Sequence, residues 1–251
     1  MRDIFNRVSF KEGSRDPRKA CLKLFLDAYL HTDHSMARRL LFETVADSQT
    51  HHLVEAAVVA NEIRAVLLEG GHSGKVANAL RTRQRAWELL LAICDPAVRE
   101  WKELVRKYSH VRTDEIPQEA KTQWAGLAQL FDCVSKQFYF ASGAHDISAA
   151  ARGREDAHPL PLSTMQTFWR ESQPLLDLLG GVGLVPAVHR IIEFLYAYIE
   201  LGPKEVFLRI ARMVIAGQEG GYSLRNVAVT PFQQVTPREA ANGTNLSKTA
   251  R

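Results

Sequence analysis

The stretch LVPAVHRIIEFLYAYIELGPKEVFLRIARMVIAGQEGG, residues 184–221, decides the fold because it predicts two amphipathic helices joined by a short corner. Apolar residues recur there at steps of three and four, which is typical of one helix face: Leu184, Val188, Ile191, Ile192, Leu195 and Ile199. Gly202 suits the end of the first helix, and Pro203 suits the first turn of the second. We therefore predict a helical hairpin with one buried face.

The second helix of this hairpin carries its own apolar pattern. The spacing predicts the following residues to be buried: Val206, Phe207, Ile210, Ala211 and Val214. The charged residues are expected to face water: Lys204, Glu205, Arg209 and Arg212. Glu205 and Arg209 lie four residues apart in the order that favours an ion pair on a helix, so we predict that they pair.

Helical patterns continue through the rest of the chain, without a convincing strand. Asp16-Pro17 and Asp95-Pro96 each predict a helix start, and about nine helices are expected in total. No fixed repeat period and no tetratricopeptide, ankyrin or leucine-rich consensus is visible. The sequence thus predicts an all-α fold, an irregular α-solenoid of stacked antiparallel helical hairpins, with a compact helical bundle as the alternative.

Local composition predicts how the chain is divided. Glycines, a proline and the charged run GRED between residues 142 and 160 indicate a linker. The residues after 229 are rich in Pro, Thr, Asn and Ser, which is typical of disorder. The predicted segments are a flexible arm at 1–15, a helical region at 16–141, the linker at 142–160, a helical hairpin region at 161–229 and a disordered tail at 230–251.

Length and cysteine content limit the class of protein. The 251 residues, 46% of them hydrophobic, suffice for one large core, two small domains or a stack of helical pairs. Cys21, Cys94 and Cys133 are far apart and odd in number, which favours reduced, buried thiols in a cytoplasmic protein. The first twenty residues are polar and basic, so no secretory signal is predicted, and charges and glycines interrupt the longest apolar run, so no membrane span or membrane partner is expected.

No motif in the sequence indicates catalysis. The stretch GGHSGK at 70–75 lacks the spacing of a phosphate-binding loop, and no GxSxG occurs. His51 and Glu55 share a helix face, as two metal ligands would, but exposed positions at a helix start are the favoured interpretation. His145-Asp146 could form an acid/base pair, although a capping role for Asp146 is favoured. We predict no catalytic, cofactor or metal site; an enzyme would need His51, Glu55 and His145 to converge.

Charge is distributed unevenly along the chain. The net charge is +4, with residues 72–112 at net +5 and residues 113–219 at net −4. The basic part predicts a ridge on two adjacent helices: Arg81, Arg85, Arg99, Lys102 and Arg106. Such a ridge suits an acidic protein surface or nucleic-acid phosphates, and the plain alternative is a solvated outer face.

The segment VPAVHRIIEFLYAYIELGPKEVFLRIARMVIAGQEGGYSLRNVAV, residues 185–229, resembles the helical C-terminal regions of large bacterial multidomain proteins with a STAND-type or AAA-type ATPase upstream. The resemblance extends over residues 80–229. The sequence departs from those proteins in that it shows no counterpart of their ATPase domain. The resemblance implies a sensor, scaffold or effector-coupling role without catalysis. We therefore expect a non-catalytic scaffold that binds another protein through a groove between helical pairs. The alternative is a nucleic-acid-associated helical protein that uses the basic ridge at residues 75–112.

Overall fold

The computed structural model describes residues 17–45, 53–69, 76–112, 114–154, 160–183 and 188–219, and these residues form helices and short connections without a strand. The described helices are α1 (Pro17–Thr32), α2 (Ser35–Val45), α3 (Leu53–Glu69), α4 (Val76–Tyr108), α5 (Gln118–Lys136), α6 (Ala144–Ala151), α7 (Leu162–Leu179), α8 (His189–Ala197) and α9 (Pro203–Glu219). A π-helical turn, Gln137–Ala141, extends α5, and a 3-10 turn, Ile199–Leu201, follows α8. The predicted all-α class is confirmed.

One apolar core takes side chains from all of these helices. Helix α3 packs on α5, α4 packs on α7, and α1 packs on both α2 and α4. An aromatic cluster joins α4, the π-helical turn, α7 and α8, with ring centroids 4.5 to 6.4 Å apart: Trp87, Phe138, Phe168, Phe194 and Tyr198. Pairs of this kind contribute about 0.5–1.5 kcal/mol each beyond their buried area. The choice between a solenoid and a bundle stays a prediction.

Helix α4 runs for 33 residues through Pro96, so the helix start predicted at Asp95-Pro96 is wrong. A proline inside a helix removes one hydrogen bond and crowds the carbonyl four residues earlier. The helix continues because side chains before and after the proline, such as Ile93 and Trp101, are buried in the same core. Asp95 instead accepts a hydrogen bond from Arg99, one turn later. The predicted two-helix ridge therefore lies on one helix.

The corner of the hairpin is as predicted, because α9 begins at Pro203, directly after Gly202. The predicted buried face of α9 is partly confirmed, because Val206 is buried and Ile210 and Val214 pack on the core. Phe207 and Ala211 were wrongly assigned to it: Phe207 is 62% exposed and Ala211 is exposed, whereas the Arg209 side chain is only 12% exposed. Arg209 pairs with Asp177 of α7 at 2.8 Å and not with Glu205. Apolar residues surround most of α9, so periodicity alone could not select the docking face.

The stretch predicted as a linker, residues 142–160, contains helix α6, which packs on α8 and on the π-helical turn. Its first residues belong to the core, since the buried Tyr198 hydroxyl donates to the Ser142 carbonyl at 2.6 Å. Gly143, with φ +74°, turns the chain into α6. Asp146 lies in the first turn without capping it and is 3.4 Å from His145. Helix-forming alanines, and not the flanking glycines, thus determine this part of the stretch.

The remaining sequence expectations meet different outcomes. Cys94 and Cys133 are buried as predicted, Cys21 is exposed, and all three thiols are free. None of the described helices combines the length and the apolar character needed to cross a bilayer. The predicted arm at 1–15 and the predicted tail at 230–251 lie outside the described residues.

Candidate binding groove

The N-terminal half of α4 uses part of the predicted ridge to hold the fold together. Arg85 donates to the Leu30 carbonyl at the end of α1, at 2.8 Å, and lies 3.4 Å from Asp33. The last carbonyls of a helix carry partial negative charge, so this guanidinium stabilises the end of α1. Arg81 is exposed on the same half of α4. Of the two, only Arg81 therefore remains a surface cation.

A further basic residue of α4, Arg83, is buried beneath the ridge. Its guanidinium lies 2.7 Å from a carboxylate oxygen of Glu171 on α7, and the Trp87 indole N–H donates to the same oxygen at 3.1 Å. This ion pair connects the two helices within the core. Arg83 and Arg85, two of the basic residues counted in the sequence, thus serve the fold itself.

The other three predicted ridge residues, Arg99, Lys102 and Arg106, are exposed on the C-terminal half of α4. Arg99 pairs with Asp95 at 2.8 Å, and Arg106 pairs with Glu103. The hydrogen bond that Arg106 donates to Glu103 raises the pKa of Arg106 above its ordinary value. Among the described residues, Lys102 forms no ion pair. The ridge is therefore partly neutralised by acids of its own helix.

Lys102 and Arg106 line a groove of about 620 Å³ between α4, the end of α7, and α9, which we call the α4–α9 groove. The residues of α4 and α9 that line it are Trp101, Lys102, Val105 and Arg106, and Arg212, Ile215 and Ala216. Trp101, Val105, Ile215 and Ala216 are apolar, so the groove combines an apolar lining with cationic edges. This combination suits a ligand that is both acidic and apolar.

The charge balance in the α4–α9 groove is positive. Lys102, Arg106 and Arg212 contribute three cations, Asp177 is the one acid among the described residues that line it, and Glu103, beside the groove, pairs with Arg106. Asp177 is already engaged, because Arg209 lies 2.8 Å and Arg212 lies 3.7 Å from its Oδ1. An incoming carboxylate would therefore meet an excess of positive charge.

Gly181, just after α7, makes room for Lys102 in the groove. A Cβ atom at this position would lie 2.5 Å from Lys102 Cε and 2.6 Å from Lys102 Nζ. The end of the Lys102 side chain therefore occupies the space that a side chain at position 181, just after α7, would fill. This contact positions the lysine at the edge of the groove.

An exposed apolar surface on α9 adjoins the groove, and we call it the α9 stripe: Phe207, Leu208, Ala211 and Ile215. Leu208 is 49% exposed and Ile215 is 57% exposed. Residues 207, 211 and 215 follow each other at steps of four, so they lie on one side of the helix. Ile215 belongs to both the stripe and the groove. Sequence reasoning missed the stripe because it assigned Phe207 and Ala211 to the core.

A second groove, of about 790 Å³, lies between α4 and α5. Its basic residues Arg99, Arg106 and Lys107 are matched by Glu100, Glu103 and Glu119. The groove therefore has no net charge to select a ligand. Arg106 borders both grooves, which places it at the edge that separates them.

An enzyme would require His51, Glu55 and His145 to converge, and the structure describes two of these three residues. Glu55 is buried, not exposed at a helix start, and His51 lies outside the described residues. His145 packs against Tyr139 and Phe140, with ring centroids 5.6 and 5.7 Å away. Within the described ranges, no three or more His, Cys, Asp or Glu side chains are grouped as metal ligands would be.

Comparison of the chain with protein-family models, with curated proteins and with solved structures found no match.

Proposed function

We propose that this protein is a non-catalytic helical scaffold or sensor that binds another protein through the α4–α9 groove and the α9 stripe. The observation that carries the proposal is that the cationic α4–α9 groove adjoins the α9 stripe, with Ile215 common to both. Contiguous exposed apolar surface next to polar groups is typical of interaction sites. Aromatic and aliphatic side chains at the centre of an interface provide most of its binding energy, and charges at its edge select the partner.

The same features favour a protein partner over the nucleic-acid alternative. Binding to nucleic acid draws its affinity from cations that neutralise phosphates. On α4, Arg99 and Arg106 are paired with Asp95 and Glu103, so few unpaired cations there could neutralise a run of phosphates, whereas a protein partner also gains from apolar contacts. The α9 stripe has no counterpart in a phosphate backbone, whereas it suits the apolar residues of a protein segment.

A pull-down from native lysate tests this function when it compares matched variants. Ile215→Asp places a charge in the stripe, and Leu24→Asp is its control because Leu24 is similarly exposed, on α1. Lys102→Glu reverses a charge in the groove, and Arg81→Glu makes the same change elsewhere on α4. Each bait is used at low and at moderate salt, with and without nuclease.

The expected result is a protein that survives moderate salt and nuclease and is lost with Ile215→Asp and Lys102→Glu only. Nucleic acid that is recovered alone and lost on nuclease treatment would establish the alternative. A protein recovered equally by all variants would show that the groove is not the binding site.

A further inference from the structure

We infer that the α4–α9 groove and the α9 stripe bind an acidic amphipathic helix of the partner protein. This inference rests on the proposed function and adds the chemistry and the conformation of the bound segment. The evidence consists of the shape of the surface, the position of its cations, and the charge that a second copy of this chain would bring.

The shape of the surface favours a helix over an extended strand. Addition to a sheet edge, one common mode for an extended peptide, has no counterpart in the described part of the chain, which contains no strand. Three residues of the α9 stripe, Phe207, Ala211 and Ile215, follow each other at four-residue steps. A row with this spacing fits into the grooves between the side chains of another helix. From residue 207 to residue 215 the α9 stripe is about 12 Å long, or roughly two helical turns. Two apolar side chains of a partner helix, one turn apart, match this length.

The cations indicate where the partner carries acids. Lys102 and Arg106 lie four residues apart on α4, so their side chains project from consecutive turns on one side. Carboxylates three or four residues apart on a partner helix have a similar separation. Arg212, on the α9 side of the groove, adds a third cation. A helix with an apolar face and one acidic flank therefore satisfies both parts of the surface.

A second copy of this chain is a poor occupant. In a twofold pair of α9 helices, both copies bring the same excess of cations, Lys102, Arg106 and Arg212 against Asp177, so neither copy supplies the acids that would balance it. Lys204 and Arg212 are both exposed beside the stripe. Like charges across an interface disfavour association, and desolvation increases this cost. Charge complementarity thus selects a different, acidic segment.

Peptide binding to the full chain provides the test. The probe is a fluorescent helical peptide with leucines at i and i+4 and glutamates on one flank, and its binding is followed by anisotropy. Three matched peptides replace the glutamates by lysines, the leucines by glutamines, or a central residue by proline. The acidic amphipathic peptide should bind, and each matched peptide should bind at least about tenfold more weakly. Equal binding of the lysine or proline peptide would overturn the inference.

Variants of the chain connect this binding to the surface. Ile215→Asp and Lys102→Glu should each weaken binding of the acidic peptide by about tenfold, while Leu24→Asp and Arg81→Glu should leave it unchanged. Unchanged circular dichroism spectra show that the variants are folded. Sedimentation of the wild type should give the mass of one chain, and a dimer that Ile215→Asp dissociates would assign the stripe to self-association.

The failures of the inference and of the proposed function are distinguishable. One outcome is that the pull-down recovers a protein whose binding depends on the groove while the acidic peptide does not bind. In that case the inference of an acidic helix is wrong, and the proposed protein-binding function stands. If neither binds in a groove-dependent way, both proposals are wrong.

Discussion

The buried ion pair between Arg83 of α4 and Glu171 of α7 is the perturbation whose effect follows most directly from the structure. The two side chains are 7% and 13% exposed. Glu171→Leu removes the carboxylate, leaves the Arg83 charge without its partner, and takes away the acceptor of the Trp87 indole N–H. The two helices it connects also pack closely against each other, so the loss falls on a central contact of the core.

The expected loss is large because an unpaired buried charge is costly. Removing one partner of a buried ion pair costs about 3–5 kcal/mol. Replacing both partners by apolar residues of similar volume is often close to neutral, so Arg83→Met combined with Glu171→Leu should be more stable than Glu171→Leu alone. What remains in the double variant is mainly the unsatisfied Trp87 N–H, at about 1–3 kcal/mol.

Urea unfolding followed by circular dichroism measures these differences. With a slope of about 2–3 kcal/mol per molar, Glu171→Leu should lower the midpoint by roughly 1–2.5 M, and the double variant should recover part of this loss. Arg99→Met, which breaks a pair with both side chains more than half exposed, is the control and should cost less than about 1 kcal/mol. A double variant less stable than Glu171→Leu would refute the reasoning.

Further predictions concern the backbone, the response to pH and the thiols. Gly183→Ala should lower the thermal midpoint more than Gly153→Ala: both glycines have positive φ, but only at position 183 would a Cβ lie 2.6 Å from a backbone atom of α9. Burial raises the pKa of Tyr198, so its contribution to stability is complete below about pH 10 and is lost above it, as tyrosine in the unfolded chain ionises. Tyr198→Phe should flatten the fall in unfolding free energy between pH 9 and about 11 by up to about 1.4 kcal/mol per pH unit. A thiol reagent should label Cys21 rapidly in the native protein and Cys94 only on unfolding, because Cys94 is buried and burial raises its pKa; rapid labelling of Cys94 would contradict this packing.

The candidate site was partly predictable from sequence. The basic pattern named Lys102 and Arg106, which do line the α4–α9 groove. It also included Arg85, whose guanidinium donates a hydrogen bond to the Leu30 carbonyl at the end of α1. Charge patterns identify where cations lie along a helix, but they do not identify which cations meet a carbonyl or a carboxylate of another helix. The α9 stripe was missed for the same reason, since exposure depends on which elements pack against α9.

The sequence by itself determined the helical class, the corner at Gly202-Pro203 and the helix start at Pro17, because helix periodicity and proline geometry act within a few residues. Only the tertiary structure decided that α4 continues through Pro96 and that Arg209, not Phe207, faces α7. Both outcomes depend on contacts between helices distant in sequence. The free energy of packing a shared core exceeds the local preference of a proline, and the burial of Val206 and Met213 in that core selects among the apolar faces of α9.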